Sequence, residues 1–326
     1  MRGCRLMKSK RKRRALRPPL RVKSGDFQAS RAVCRRSDLF ADGPEPENGY
    51  DIQYASGKRE GAIMLTAVNG TLLNSQALAL LVALCDLYSR KQYRIIKNKT
   101  TGETRRAITT TPKHLVEAIY GVKNDKPSNR YYEMLGLQRR QKSTGALDVL
   151  ATVLIKRDSA WIGANGKPHR VLEAFHLVDS YRFHQIGNRE YLQIFLSDGL
   201  QKELQRLSQN EQWALIPRRL VQKLGPKRQQ ALRVALHVLS HAPLPAQTGN
   251  GSRREIGITA LVDVVRPDIN RRPNRYPGRF KALVKRIVDS IDAVDADHSW
   301  TLAPATTDPL GKVICIENAR KEGKEA

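Results

Sequence analysis

Between Arg271 and Arg286 the chain places Arg271, Arg272, Arg275, Arg279, Lys281, Lys285 and Arg286 with no acidic residue among them. Guanidinium and ammonium groups without internal carboxylates take up a polyanion. They neutralise phosphates, and an arginine can also grip a guanine edge through two hydrogen bonds. Just beyond, the sign reverses at Asp289, Asp292, Asp295 and Asp297. That gradient opposes the helix macrodipole, which favours acids at the N-terminus and bases at the C-terminus by about 0.3–1 kcal/mol per charge. A polyanion at the N-terminal end reverses the penalty, because phosphates meet the bases and the free backbone N–H groups together. The competing reading, a solvated basic face on an ordinary surface helix, accounts for the charge but not for its direction.

A helix must present these charges. Phe280, Leu283, Val284, Ile287, Val288 and Ile291 recur at the spacing of one buried helical face after Pro277. The opposite face carries Ala282, Lys285 and Arg286, with Arg279 beside them. This assigns base contact to Arg275, Arg279, Ala282 and Lys285. Arg279 suits a guanine edge and Ala282 a thymine methyl. Phosphate contact falls to Arg271, Arg272, Lys281 and Arg286. Lys312 has two readings, a phosphate contact from a neighbouring hairpin or an ordinary strand-end lysine.

The flanking segments place that helix in an ordered series. A helix is expected over 226–241, with Pro226 in its first turn and Leu232, Ala235, Leu236 and Leu239 buried. A short strand is expected over 255–258, then a short helix capped by Thr259 and stopped by Pro267. Residues 299–302 and 312–317 read as two strands around a loop bearing Pro304, Pro309 and Gly311. Helix, strand, helix, basic turn, helix and hairpin is the order of a winged helix-turn-helix, which seats one helix in the DNA major groove.

Other chemistry is not indicated, and the chain is not expected to be an enzyme. His237 and His241 stand four apart, but no glutamate follows His237 and no third ligand is evident, so no metal and no cofactor is expected. A metal-dependent nicking enzyme would need a His-x-His pair beside a nucleophilic tyrosine. None occurs, and Tyr131 and Tyr132 read as packing residues. The segment GANGKP at 163–168 lacks the spacing of a nucleotide loop.

Composition agrees. The 326 residues hold 58 Lys and Arg against 31 Asp and Glu, a formal net charge of +27, which calls for an acidic partner. A membrane is not that partner, because the longest apolar stretch, 77–85, falls short of the roughly 18 residues a span needs. Cys4, Cys34, Cys85 and Cys315 form neither a zinc pattern nor a disulfide framework. Cys85 and Cys315 sit in apolar runs as small core residues, and a cytoplasmic chain associated with DNA is expected.

Along the chain, 1–62 reads as a disordered basic tail, KSKRKRRALRPPLRVK being its charge block. It suits a nonspecific DNA arm or, in a eukaryotic host, a localisation signal. Translation starting near Met64 would make it an artefact. A first domain is expected over 63–197, a second over 198–318 and a short tail over 319–326. In the first, 74–90 and 112–120 read as helices, the latter capped by Thr111. Residues 93–97 and 105–110 read as a hairpin, 129–155 as helix broken near two glycines, and 169–178 and 191–196 as strands. Residues 197–217 read as a linker. The fold class is α+β, with tandem winged-helix domains behind a disordered basic tail.

The segments PKRQQALRVALHVLSHA, REIGITALVDVV, NRYPGRFKALVKRIVDSIDAV and the hairpin ending KVICIEN resemble the iteron-binding plasmid replication initiators, a family with two winged-helix domains. Tyr276 and Phe280 match the aromatics that open the family's reading helix. LTAVNGTLLNSQALALLVALCDLYSRK and ITTTPKHLVEAIYG look like its first domain, so the resemblance spans 63–318. The basic N-terminus and the segment 136–145 depart from the pattern. The resemblance implies binding to repeated sites in duplex DNA at an origin, opening of adjacent DNA, and recruitment of a host initiator and helicase. It also implies a homodimer formed through the first domain, and autorepression. A winged-helix transcriptional regulator without a replication role is the alternative.

Overall fold

The computed structural model describes residues 26–35, 37–40, 50–56, 59–66, 73–97, 104–123, 128–137, 144–162, 167–201, 204, 213–225, 228–241, 244–245, 252–266 and 268–317. Strand β1 (Phe27–Ser30), helix α1 (Arg31–Arg35) and a 3-10 turn at Ser37–Phe40 come first. They correct the expectation of a disordered tail through residue 62, because Phe27, Ala29, Cys34 and Phe40 are buried. Within a basic composition these few apolar residues suffice to dock the segment. The charge block upstream lies outside the described residues.

Strands β2 (Tyr50–Ser56) and β3 (Arg59–Thr66) lead to α2 (Ser75–Ser89). The hairpin β4 (Tyr93–Lys97) and β5 (Thr104–Thr110) and the helix α3 (Pro112–Tyr120) stand where periodicity puts them. Thr111 caps α3, its hydroxyl accepting from the His114 N–H at 3.2 Å, and Pro112 needs no partner at the first helical position. The segment expected as one broken helix is two, α4 (Asn129–Leu135) and α5 (Ala146–Thr152). Gly136 ends α4 at φ +89°, and Gly145 returns beside it so closely that a Cβ there would lie 2.1 Å from the Gly136 nitrogen. Only glycine allows this closure. Strands β6 (Leu154–Ile162), β7 (Pro168–Phe175), β8 (Val178–Ile186) and β9 (Arg189–Leu196) complete this half. They build two antiparallel sheets, β2-β3-β6-β7 and β4-β5-β9-β8.

Helix α2 is more enclosed than one apolar stripe requires. Residues 77–88 are buried on all sides, Asp86 included. The Asp86 carboxylate accepts from Arg90 Nε at 2.7 Å and from the Gln28 N–H at 2.8 Å, tying β1 to the helix.

Strand β10 (Trp213–Ile216) lies in the expected linker, yet it pairs antiparallel with β1, Phe27 facing Ile216. Helix α6 (Arg218–Leu224) follows, and Gln222 Nε2 donates to the Glu117 carbonyl of α3 at 2.8 Å. Next come α7 (Gln229–Leu239), β11 (Leu244–Pro245), β12 (Ser252–Gly257) and a 3-10 turn at Thr259–Leu261 running into α8 (Val262–Val265). A 3-10 turn at Ile269–Arg271 precedes α9 (Pro277–Asp292), and β13 (His298–Ala303) and β14 (Lys312–Glu317) form the last hairpin. The sheet order is β11-β12-β14-β13, all antiparallel. Pro226 and Pro267 lie outside the described residues. Helices and antiparallel strands alternate irregularly, an α+β arrangement.

The buried apolar residues of both halves join in one cluster. Arg233 of α7 is its main polar intruder, 3 % exposed. It donates to the carbonyls of Val264 at 2.9 Å, Phe40 at 3.2 Å and Val265 at 3.4 Å. Ser37 Oγ returns a bond to the Arg233 carbonyl at 3.0 Å. The N-terminal segment is thereby fastened to the helix on which α9 packs.

Candidate nucleic-acid interface

Six residues anchor α9. Phe280, Val284, Val288 and Ile291 are at most 1 % exposed, and Leu283 and Ile287 are at most 7 %. They pack toward α7 and β13, so the opposite face is held against a rigid base. That face is the one expected from spacing: Arg275, Arg279, Ala282 and Lys285 are all exposed, as are Arg271, Arg272, Lys281 and Arg286. The structure brings these eight together along the first turns of α9 and the segment leading into it.

The helix N-terminus is open. Its cap residue, Tyr276, makes no side-chain cap bond, and no acid stands in the first turn. A Cβ at Gly278 would meet nothing within 4 Å. The Arg279 guanidinium lies 4.7 Å from the centre of the Tyr276 ring, which holds a long side chain in one orientation beside the first turn. Arg271 pairs with Asp268 at 3.3 Å, both exposed. Among the described residues, no acid pairs with Arg272, Arg275, Lys281, Lys285 or Arg286.

The acidic half of the charge gradient has a structural cause. Asp292 accepts from the Trp300 N–H at 2.8 Å, joining the end of α9 to β13. Asp295 accepts from Trp300 Nε1 at 2.8 Å, from His298 Nδ1 at 3.1 Å and from the Asp297 N–H at 3.0 Å. Burial alone would raise the Asp295 carboxyl, but these donors outweigh it and hold the group below the ordinary carboxylate range. These acids therefore fix the hairpin to the helix. Apart from the exposed Arg271–Asp268 pair, the basic half has no such partners among the described residues, so its charges remain available to a ligand.

One expectation is corrected here. Thr259 does not cap its helix. The Asp308 carboxylate, from the β13–β14 loop, accepts from the Thr259 N–H at 2.8 Å, the Thr259 hydroxyl at 3.0 Å and the Leu310 N–H at 2.9 Å. Burial pushes the Asp308 carboxyl up, and these donors pull it below its ordinary value. Lys312, open to two readings, stands at the start of β14 with an acidic partner. Its Nζ donates to Glu255 Oε2 at 2.8 Å, and both side chains are half-buried. It is held within the sheet, apart from the helix cations.

The residues set aside from chemistry have packing partners. His237 Nδ1 lies 3.0 Å from the Arg35 carbonyl, and His241 Nδ1 lies 3.3 Å from the His237 carbonyl. Tyr131 packs against Tyr120, and the Tyr132 hydroxyl bonds Glu190. Among the described residues no group of three His, Cys, Asp or Glu converges as a metal site would require. No described helix is long and apolar enough to cross a membrane. Spacing gave no sign of Asp308 or Arg233, because both act through residues far away in sequence.

The chain is similar in fold to a solved structure of domains 2 and 3 of RctB, with a TM-score of 0.53 and 9% sequence identity over 87% of this chain and 98% of that one. A second structure of RctB domains 2 and 3 aligns over 87% of this chain and 96% of its own, at 9% identity and a TM-score of 0.48. At such identity the first likeness establishes a shared fold. No protein-family model matches the chain, and no curated protein sequence does.

Proposed function

We propose that the protein is a plasmid replication initiator that binds repeated sites at an origin. The observation that carries this reading is the exposed cationic N-terminal part of α9, where no acid stands between Arg271 and Arg286, set on six buried apolar residues beside a two-stranded hairpin. Such a helix enters the major groove as a rigid body. Arg275, Arg279, Ala282 and Lys285 meet base edges, and Arg271, Arg272, Lys281 and Arg286 meet phosphates. The fold shared with RctB, a replication initiator, supports replication as the context.

Each half acts as a winged helix. The C-terminal half reads sequence, and the first half serves dimerisation and further DNA contact. Binding to adjacent repeats bends and destabilises neighbouring AT-rich DNA, and a host initiator and helicase join the opened origin. The same contacts repress the protein's own promoter. The work is done by binding energy, with no covalent step.

A DNase footprint on DNA flanking the gene, with excess random competitor, tests this. Regularly spaced protected repeats beside an AT-rich stretch are expected. A single protected palindrome would favour a transcriptional regulator, and no protection would leave only nonspecific binding.

A further inference from the structure

Beside the reading face, α7 and α9 bound a groove of about 490 Å³, lined by Arg228, Gln229, Arg271, Leu283, Arg286 and Ile287, with the first turn of α7 and Ser290 completing the wall. No carboxylate lines it. Three arginines therefore line one groove from three elements: the start of α7, the 3-10 turn before α9, whose Arg271 also pairs with Asp268, and the middle of α9. Arg228 precedes an eleven-residue helix whose N-terminus has no side-chain cap. Among the described residues its guanidinium has one partner, the Ser290 carbonyl at 3.4 Å, which leaves most of its five donors unused. Arg286 lies seven residues from Arg279, on the same face of α9.

We propose that this groove is a phosphate clamp, holding one backbone phosphodiester at the edge of the face that reads bases. The assignment rests on the DNA reading above and adds Arg228, on a different helix, to its contacts. Arg228 and Arg286, which no described acid pairs with, suit a tetrahedral oxyanion, which can accept from several guanidiniums at once. The apolar floor of Leu283 and Ile287 suits the adjoining sugar. Because α7 and α9 share one core, a phosphate bound between them fixes how deep and at what angle α9 sits in the groove of the duplex.

The test uses the full-length protein and fluorescence anisotropy on a duplex bearing the footprinted site and on a scrambled duplex, across a range of salt. Arg228→Gln should weaken binding to both about tenfold at low salt. It should lower the salt slope by about 0.9, the value for one lost phosphate contact, with melting behaviour and site preference unchanged. Arg286→Gln should lose the same slope, and the double variant should lose less than the sum, because both hold one phosphate. An unaltered slope for Arg228→Gln overturns the clamp. If Arg279→Ala still relaxes preference at one base position, the DNA reading survives that result. If the wild-type protein binds no duplex, both fall. Tripolyphosphate titrated by calorimetry without DNA separates the sources of phosphate. Tight binding lost in Arg228→Gln would assign the groove to a free polyphosphate and overturn the phosphodiester.

Discussion

Replacing Phe27 with alanine tests whether the N-terminal segment belongs to the folded core. The side chain is fully buried, β1 pairs with β10 through it, and the Arg218 guanidinium lies 5.1 Å from its ring centre. The substitution leaves the chain intact, so the entropy of ordering the segment largely cancels between the variants. What remains is lost apolar transfer and a cavity, about 3–5 kcal/mol for a buried phenylalanine cut to alanine. Against a typical total of roughly 5–15 kcal/mol that is a large share. It should lower the melting temperature by roughly 5–15 °C, read by circular dichroism and checked by urea unfolding. Removing residues 1–25, which precede every described element, should leave melting unchanged while lowering nonspecific DNA affinity and flattening its salt dependence. A Phe27→Ala melting curve that superimposes on the wild type would refute the reasoning and return residues 26–40 to the status of a tail.

Arg279→Ala should cost about 1–3 kcal/mol on the specific site and relax one base position, measured by competition binding; equal losses on random DNA would contradict base reading. Asp295 and Asp308 are held below the ordinary carboxylate range in the folded state, so their contribution is present above about pH 4 and is lost as pH falls through the lowered folded values. Urea unfolding followed against pH should show that loss for the wild type, and Asp308→Asn should show less of it. Burial, then the positive fields of His237, Arg35, Arg254 and Arg31, pushes the His241 imidazole down to about 4. The folded state therefore binds this proton less readily than the unfolded chain, and stability should erode as pH falls from about 6.5 toward 4. His241→Gln should flatten that part of the profile, and an unchanged profile would mean that the imidazole is hydrated.

Helix α9 was legible because it follows local rules. Six apolar residues at helical spacing define the buried face of α9, so the exposed face and its cations follow from the repeat alone. The same holds for α3, whose cap and first proline are neighbours in sequence, and for the β13–β14 hairpin. Charge composition points to an acidic ligand, because long-range electrostatics depends on the sum of charges more than on their placement. What the sequence left open was decided by contacts between distant residues. Residues 26–40 look like tail until β10 and α7 supply the surfaces that bury Phe27 and Phe40. The cap of the turn at Thr259 arrives from Asp308, and Lys312 is claimed by Glu255. The groove exists only because Arg228 and Arg286, on two packed helices, line the same space. Hydrophobic periodicity records which side of an element is buried, while the partner that buries it is chosen by tertiary packing.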